Sequence, residues 1–200
     1  MNAILLPSSP LLQTANPMPL DYGAWQTSAM GGVITRLDRL GNRFAIACTT
    51  PRLKPEPDGR IWVSRLLQAV GGVVRITFPQ IGLTIGNPGS PQVDGNQQAG
   101  SSLKIKGLTA GYTIREGQFF NVVDSAGANY LHGGTSDVTA DASGGLTVPI
   151  WPMLRISPGD STSVNIVAPV IEGQLSGNEK GWTIERAGVD GLQFTITELK

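Results

Sequence analysis

The feature that most constrains this fold is a series of short alternating runs in residues 107–158. Every second residue in these runs is apolar, and Gly, Asn, Asp or Ser residues interrupt them at short intervals. Consecutive antiparallel strands joined by tight turns have this pattern. Val138 and Ala140 lead into a turn at residues 141–144, and Leu146 resumes the alternation, so this part predicts a hairpin.

The same stretch predicts a small barrel. Gly111 and Gly117 lie on either side of the run Tyr112-Thr113-Ile114. They allow the backbone there to bend or bulge, which curls a sheet. The polar, turn-rich residues 86–100 precede it, and a second turn-forming stretch follows at residues 157–160. We therefore predict an inserted, small antiparallel barrel-like (OB-like) module at residues 96–162, with few packed contacts crossing its boundaries.

The flanking residues, 31–95 and 163–200, are expected to form a second unit. It is a β-sandwich or belt-like sheet domain that carries one short helix, so the fold class is mainly β. One hairpin is predicted about Gly41-Asn42, from residues 33–39 and 43–49. The C-terminal residues 182–198 predict another.

A single helix is predicted between these hairpins, at about residues 60–70. Asp58 stands where a capping residue would, and Gly71-Gly72 would close the helix. Trp62 lies on its apolar side and is interpreted as a side chain that covers the sheet.

The first 30 residues predict an extended arm. Besides Met1, seven Leu, Ile or Met residues and four prolines fall in positions 1–24 without a helical or strand period. We expect an arm with this many apolar residues to pack against a protein surface, either that of its own subunit or that of a neighbouring one. No basic residue precedes Arg36, and Pro7 interrupts the apolar run Ile4-Leu5-Leu6, so neither a signal peptide nor a membrane span is expected.

Charge and cysteine content exclude some functions. Fifteen basic and fifteen acidic residues give no net charge, so direct nucleic-acid binding is not expected. The one cysteine, Cys48, excludes an internal disulfide framework and continues an apolar alternation, which favours a buried, inert thiol.

The chain offers few candidate catalytic residues. His132 is the only histidine, with Asp137 and Asp141 the nearest candidates to orient it, and no nucleophile motif accompanies them. The two aspartates would lie roughly 13 Å apart on one strand, too far for a glycosidase pair. We therefore expect that the protein is not an enzyme and that it has no catalytic, metal or cofactor site.

Three aromatic residues support one alternative from another class of function, a glycan-binding module. Tyr112, Tyr130 and Trp151 are near one another in sequence and could stack on sugars. Trp151, between Ile150 and Pro152, is better interpreted as a core residue.

Several motifs in this chain resemble a known family. They are the run at residues 107–120, Tyr130-Leu131-His132, residues 137–144 and residues 149–155. The sequence is similar here to structural proteins of long-tailed bacteriophages, especially distal tail proteins and related tail-tip components of phages that infect Gram-negative bacteria. The resemblance covers roughly residues 30–200 and rests on strand, turn and Gly positions.

This resemblance implies a virion protein at the distal end of the tail, made in the host cytoplasm. Such proteins form a homo-oligomeric ring, usually a hexamer, that joins the tail tube to the tail-tip or baseplate hub. A sheet domain and helix build the ring, and an extra barrel module decorates it. The family has no active-site residues to carry over. With this resemblance, the glycan-binding alternative becomes a module of the tail tip that contacts the host surface, although this chain lacks room for the full carbohydrate-binding domain of the larger members.

Overall fold

The structure is a computed structural model that describes residues 3–176, 181–186 and 188–199. It is mainly β, as predicted, and α1 (Arg60–Ala69) is the one regular helix in the described part of the chain. The strands, in chain order, are β1 (Ile4–Leu5), β2 (Thr14–Leu20), β3 (Ala24–Gln26), β4 (Thr35–Leu37), β5 (Arg43–Thr49), β6 (Val74–Thr77), β7 (Gly89–Val93), β8 (Ser102–Leu108), β9 (Thr113–Ile114), β10 (Phe119–Val123), β11 (Asn129–Gly134), β12 (Val138–Thr139), β13 (Leu146–Trp151), β14 (Val164–Asn165), β15 (Val170–Leu175), β16 (Thr183–Glu185), β17 (Gly188–Asp190) and β18 (Gln193–Glu198).

The first sheet has six strands in the order β1-β6-β15-β18-β5-β2. Only β1 and β6 run parallel. Helix α1 covers this sheet with its buried residues Trp62, Leu66 and Ala69. The Trp62 ring lies 6.0 Å from the ring of Phe194 in β18, which confirms that Trp62 covers the sheet.

The predicted cap at Asp58 is wrong. Helix α1 follows an irregular turn, Pro55–Gly59, and Gly59 occupies the cap position without a side-chain hydrogen bond. A Cβ atom at Gly59 would lie 2.7 Å from Cγ2 of Val189, so close packing against β17 selects a glycine there.

The second sheet also has six strands, in the order β14-β10-β11-β13-β8-β7, and spans residues 89–165. Its two ends meet: the Val93 N–H donates to the Thr162 carbonyl at 2.8 Å, and the Ser161 N–H donates to the Val93 carbonyl at 3.0 Å. The sheet is therefore a nearly closed barrel, as predicted. Its interior contains a second core, which includes Ile105, Phe120, Val122, Val148 and Ile166.

The hairpin predicted at residues 138–150 has the right turn but the wrong strand pairing. Asp141 and Gly145 close the turn through a hydrogen bond of 2.9 Å. However, β12 pairs with β9, while β13 pairs with β8 and β11. The strands separate because other segments bind both sides of the turn: Ala140 donates to Tyr112 and Leu108 donates to Gly144.

The two other predicted hairpins are also wrong in their pairing. Strand β4 pairs with β3, and β5 pairs with β2 and β18. Strand β16 pairs with β17, and β18 pairs with β15 and β5. A strand has two edges, and in β5 and β18 remote strands occupy both, so the strand adjacent in sequence turns away.

The N-terminal arm is part of the first sheet. Strand β1 lies beside β6, and all seven residues of β2 pair with β5. Leu6 is buried in the first core, and Leu12 packs against it. Over these strands the arm therefore packs against its own chain, one of the two arrangements open from the sequence.

The two sheets share a packed interface, contrary to the expectation of few contacts. The rings of Phe44 and Trp151 lie 4.9 Å apart, and those of Phe78 and Phe119 lie 4.4 Å apart. Leu131, from the second sheet, is fully buried in the first core. The domain boundaries at residues 30, 95 and 162 stay predictions.

Candidate interaction surface

The most exposed apolar part of the described chain is a hairpin at residues 21–40, called here the apolar hairpin. Strands β3 and β4 pair in the register Trp25 to Arg36, and the turn at its tip has a Gly31 to Ser28 hydrogen bond of 3.3 Å. Gly31 has a φ of +74°, a value that glycine adopts without strain. All residues from Ala24 to Leu40 are exposed, so this segment extends from the body of the subunit.

Large apolar side chains cover this hairpin. Five of them expose more than half of their surface: Trp25 (64%), Met30 (97%), Val33 (88%), Ile34 (58%) and Leu40 (62%). Together they present on the order of several hundred Å² of apolar surface, which is the size of the largest apolar patch on a typical soluble monomer, and such patches are often functional.

Polar contacts fix the base of the hairpin. Arg36 donates to Asp21 and Asp38, each at 2.7 Å, and its guanidinium lies 5.4 Å from the centre of the Trp25 ring. The Gly23 N–H and then Arg36 lower the pKa of Asp21. The Asn42 carboxamide accepts a hydrogen bond from the Tyr22 N–H at 2.7 Å. The Arg36 contacts join β4 to β3 and to the segment before it, at the base of the hairpin.

The second feature is a groove at the junction of the two sheets, formed by two adjoining cavities of about 530 and 340 Å³. Tyr130 and Leu199 line both cavities, and the groove is named here the junction groove. Leu40 and Arg43, at the base of the apolar hairpin, line the smaller cavity.

Charged groups in the larger cavity are paired with one another. Arg75 donates to Glu172 through Nε and Nη2, at 2.9 and 2.6 Å, and Nη2 also donates to the Gly127 carbonyl at 2.9 Å. The Asn129 side chain donates to the same Glu172 oxygen at 2.8 Å. The cavity thus has polar walls without a net charge.

The candidate base His132 lies inside the protein. It is fully buried in β11, and its Nδ1 is 2.8 Å from the Pro152 carbonyl, which can only accept, so Nδ1 carries the hydrogen. Burial, and secondarily the Arg155 charge, lower its pKa to about 3. A fully buried, neutral imidazole matches the structural role that its sequence context favours.

The aspartates near His132 in sequence shape turns. Asp141 accepts hydrogen bonds from the N–H groups of Ser143 and Gly145, at 2.8 and 2.9 Å, and from the Ser143 hydroxyl, which lowers its pKa. Asp137 accepts from the Glu116 N–H at 2.7 Å. Cys48 is buried as predicted, and burial raises its pKa to about 12.

The three aromatic residues of the glycan interpretation do not form one exposed surface. Trp151 packs edge-on against Phe44 in the first core, which confirms its interpretation as a core residue. Tyr130 is buried, and Tyr112 packs against the barrel core while accepting a hydrogen bond from the Gln118 side chain. Sugar stacking requires an open ring face, which the buried Tyr130 does not offer.

The sequence analysis does not predict that the apolar hairpin is an interaction site. The sequence places the apolar arm at residues 1–30 and pairs residues 33–39 with β5. The available signal was the run from Trp25 to Ile34, which has several large apolar residues, two adjacent glycines and no charge.

Comparison with models of known protein families finds no match, and no curated protein is significantly similar in sequence. Within the described residues, no helix is long and apolar enough to span a bilayer. Among the same residues, no group of three or more His, Cys, Asp and Glu side chains is placed to bind a metal ion.

Proposed function

We propose that this protein is a structural subunit of a bacteriophage tail that assembles into a closed homo-oligomeric ring. The observation that carries the self-association is the apolar hairpin, whose 17 residues from Ala24 to Leu40 are all exposed. Burying apolar surface contributes about 25 cal/mol per Å², so covering several hundred Å² stabilises an assembly substantially.

The position of the hairpin favours a ring over a symmetric dimer. A projecting hairpin docks on a different surface of the next copy, and such head-to-tail contacts close into rings when the rotation between subunits permits. Association through the outer sheet edge is less suitable, because Pro17 and Pro19 of the edge strand β2 have no N–H group to donate.

The place of the ring in the virion comes from the resemblance to distal tail proteins. The ring would join the tail tube on one side to the tail-tip or baseplate hub on the other, in a particle assembled in the host cytoplasm. The barrel of residues 89–165 would then decorate the ring.

Native mass spectrometry and negative-stain images of the purified protein test this function. We expect the wild-type protein to form rings of a single size. A variant in which residues 24–37 are replaced by a short Gly-Ser turn is measured beside it. That variant should be monomeric with an unchanged melting temperature, because it loses only exposed residues. The matched control is Ile81→Ser, which removes an apolar side chain that is 98% exposed outside the hairpin, and should leave the ring intact.

Two outcomes would contradict the proposal. Wild-type protein that stays monomeric over a wide concentration range, with no ring recovered from virions, would exclude the ring. Antibody labelling of phage particles that carry the protein checks its position, and label away from the distal end of the tail would exclude the tail-tip role.

A further inference from the structure

We propose that the junction groove binds a carboxylate that also carries several hydroxyl groups, of the acidic-sugar class, and that Arg43 receives the carboxylate. The smaller cavity would hold the carboxylate of this ligand, and the larger cavity would hold its hydroxyl groups. The ligand would bind to a single subunit, whether or not the subunits form a ring.

Arg43 is a cation without a carboxylate partner among the described residues. It is half-buried at the start of β5 and lines the smaller cavity. Its Nε donates to the Gly41 carbonyl at 3.1 Å, and its Nη1 donates to the carbonyls of Glu198 and Leu199, at 3.1 and 3.3 Å. These three acceptors are uncharged backbone groups, so they orient the guanidinium without neutralising its charge.

The Arg43 guanidinium is held in place before any ligand arrives. Besides the three carbonyl contacts, its central carbon lies 5.3 Å from the centre of the Tyr22 ring. Nη2 is left as the nitrogen that donates to no described residue. Because the planar guanidinium fits the geometry of a carboxylate, and because a fixed donor loses little freedom on binding, Nη2 is suited to receive a ligand carboxylate.

The other charges that line the groove are paired. In the smaller cavity Arg155 pairs with Glu198, at 2.9 Å. In the larger cavity Arg75 pairs with Glu172, at 2.6 Å. Over the described residues of the groove, the positive charge of Arg43 is therefore unbalanced, and one carboxylate balances it.

The larger cavity has acceptors for hydroxyl groups. Glu172 accepts from Arg75 and Asn129 through Oε2, and within the described chain no donor contacts its Oε1. The Asn129 side chain donates through Nδ2, and its Oδ1 likewise accepts from no described residue. Both oxygens can accept from ligand hydroxyls, whereas the Glu172 charge would repel a second carboxylate. The ligand is therefore oriented, with its carboxylate towards Arg43.

The size and the walls of the groove suit a small polar ligand. Its cavities, about 530 and 340 Å³, both fall within the roughly 300–1,000 Å³ of pockets that enclose small molecules. Tyr130 lines both cavities but is buried, so it offers a floor and no open ring face. Recognition would depend on hydrogen bonds and charge, which an acidic sugar provides.

NMR titration of the full chain with matched sugars tests the ligand class. The probes are D-glucuronate and D-galacturonate, their neutral counterparts D-glucose and D-galactose, and acetate, which has the carboxylate without the hydroxyl groups. We expect at least one of the two acids to bind about tenfold or more tightly than its neutral counterpart and than acetate, the factor expected from one hydrogen bond to a charged group.

Two variants locate the ligand in the groove. Arg43→Gln should weaken binding of the acid about tenfold or more and leave the neutral sugar unaffected. The matched control is Arg115→Gln, which removes an exposed arginine outside the groove and should change neither.

The second variant does not disturb the contacts of Arg43. Ala126 is exposed and lines the larger cavity, so Ala126→Trp should fill this cavity and weaken binding while the melting temperature stays unchanged. Ile81→Trp, at a site outside the groove that is 98% exposed, should bind as the wild type does.

A trimer of galacturonate distinguishes two sources of the ligand. Tighter binding of the trimer than of the single sugar would indicate a residue within an acidic polysaccharide, and weaker binding would indicate a free sugar acid. Acids that bind no better than their neutral counterparts or acetate, or that do not bind at all, would overturn the ligand class. Binding that is unchanged in both Arg43→Gln and Ala126→Trp would overturn the site. Wild-type monomers at every concentration would overturn the proposed ring and leave this binding site standing.

Discussion

Arg155 and Glu198 form a buried ion pair between the two sheets, with Nη2 2.9 Å from Oε1. Glu198 also accepts hydrogen bonds from the backbone N–H groups of Phe44 at 2.8 Å and Leu131 at 3.0 Å. Burial raises the pKa of Glu198, whereas the guanidinium and the two N–H groups act in the opposite direction. One carboxylate thus connects β5, β11 and the segment after β13.

Replacing this carboxylate should destabilise the fold strongly. Glu198→Ala removes the carboxylate that pairs with Arg155 inside the protein, and such a loss costs about 3–5 kcal/mol of unfolding free energy. Urea denaturation measures the change. The control is Glu185→Ala, since Glu185 pairs with Arg52 where both side chains are about half exposed, and the loss there should stay within about 1 kcal/mol. Equal losses in the two variants would contradict the role assigned to Glu198.

Gly144 is expected to be the least replaceable glycine of the barrel turns. Its φ is +79°, and an added Cβ would lie 2.1 Å from the Leu108 carbonyl oxygen. Gly127 has the same backbone conformation, with a φ of +78°, but open space around it. Gly127→Ala should therefore cost about 1–2 kcal/mol from the backbone alone, and Gly144→Ala roughly 4 kcal/mol or more. Thermal and urea unfolding compare them, and similar losses would show that the steric contact is unimportant.

Local signals account for the parts of the fold that the sequence predicts. The turn at Asp141 and the end of α1 depend on neighbouring residues whose chemistry is visible in the sequence. The barrel follows in the same way, because its glycines and alternating runs are local features. The apolar face of α1 also identifies Trp62 as a core residue.

Strand partners depend on remote residues and were not predicted. Strand β5 pairs with β2 and β18, and the contact with β18 joins residues about 150 positions apart. The alternation of Val33 and Leu37 shows a strand, but not which strand it pairs with or whether a core covers it. Apolar residues in an exposed hairpin and in a buried strand look alike in sequence. The candidate interaction surface is therefore identified only by the exposed fraction of these side chains in the structure.

His132 should make stability fall with acid between pH 6.5 and about 3. Its pKa in the folded protein is about 3, so below pH 6.5 the unfolded chain binds a proton that the folded protein does not. Stability then decreases by up to about 1.4 kcal/mol per pH unit as the pH falls through this window. His132→Asn retains an N–H donor for the Pro152 carbonyl and does not titrate.

Urea unfolding of wild type and His132→Asn at several pH values between 7 and 4 measures this effect. Whatever the variant loses at pH 7, its stability should approach that of the wild type as the pH falls. Other titrating groups are common to both proteins and cancel in the difference. Two curves that stay parallel would show that His132 is not held neutral by burial.

The barrel should not be separable from the first sheet, although its turn-rich boundaries suggest that it is. Replacing residues 101–160 by a Gly-Ser linker removes Phe119, Leu131 and Trp151 from the first core and exposes Phe44. It also removes Arg155 from its pair with Glu198. Losing several large core side chains costs about 3–5 kcal/mol for each aromatic residue, which approaches the whole stability of a domain.

We therefore expect the excised protein to be insoluble or to lack a cooperative unfolding transition. The matched control is the replacement of residues 24–37 by a short turn, which also deletes strands but takes away only exposed residues, and should leave a soluble protein that unfolds cooperatively. Circular dichroism and solubility after expression compare the two. A soluble, cooperatively folded product of the larger excision would mean that the first sheet can close its core without Leu131 and Trp151. In that case the contacts between the sheets would add to the stability of two units that fold independently.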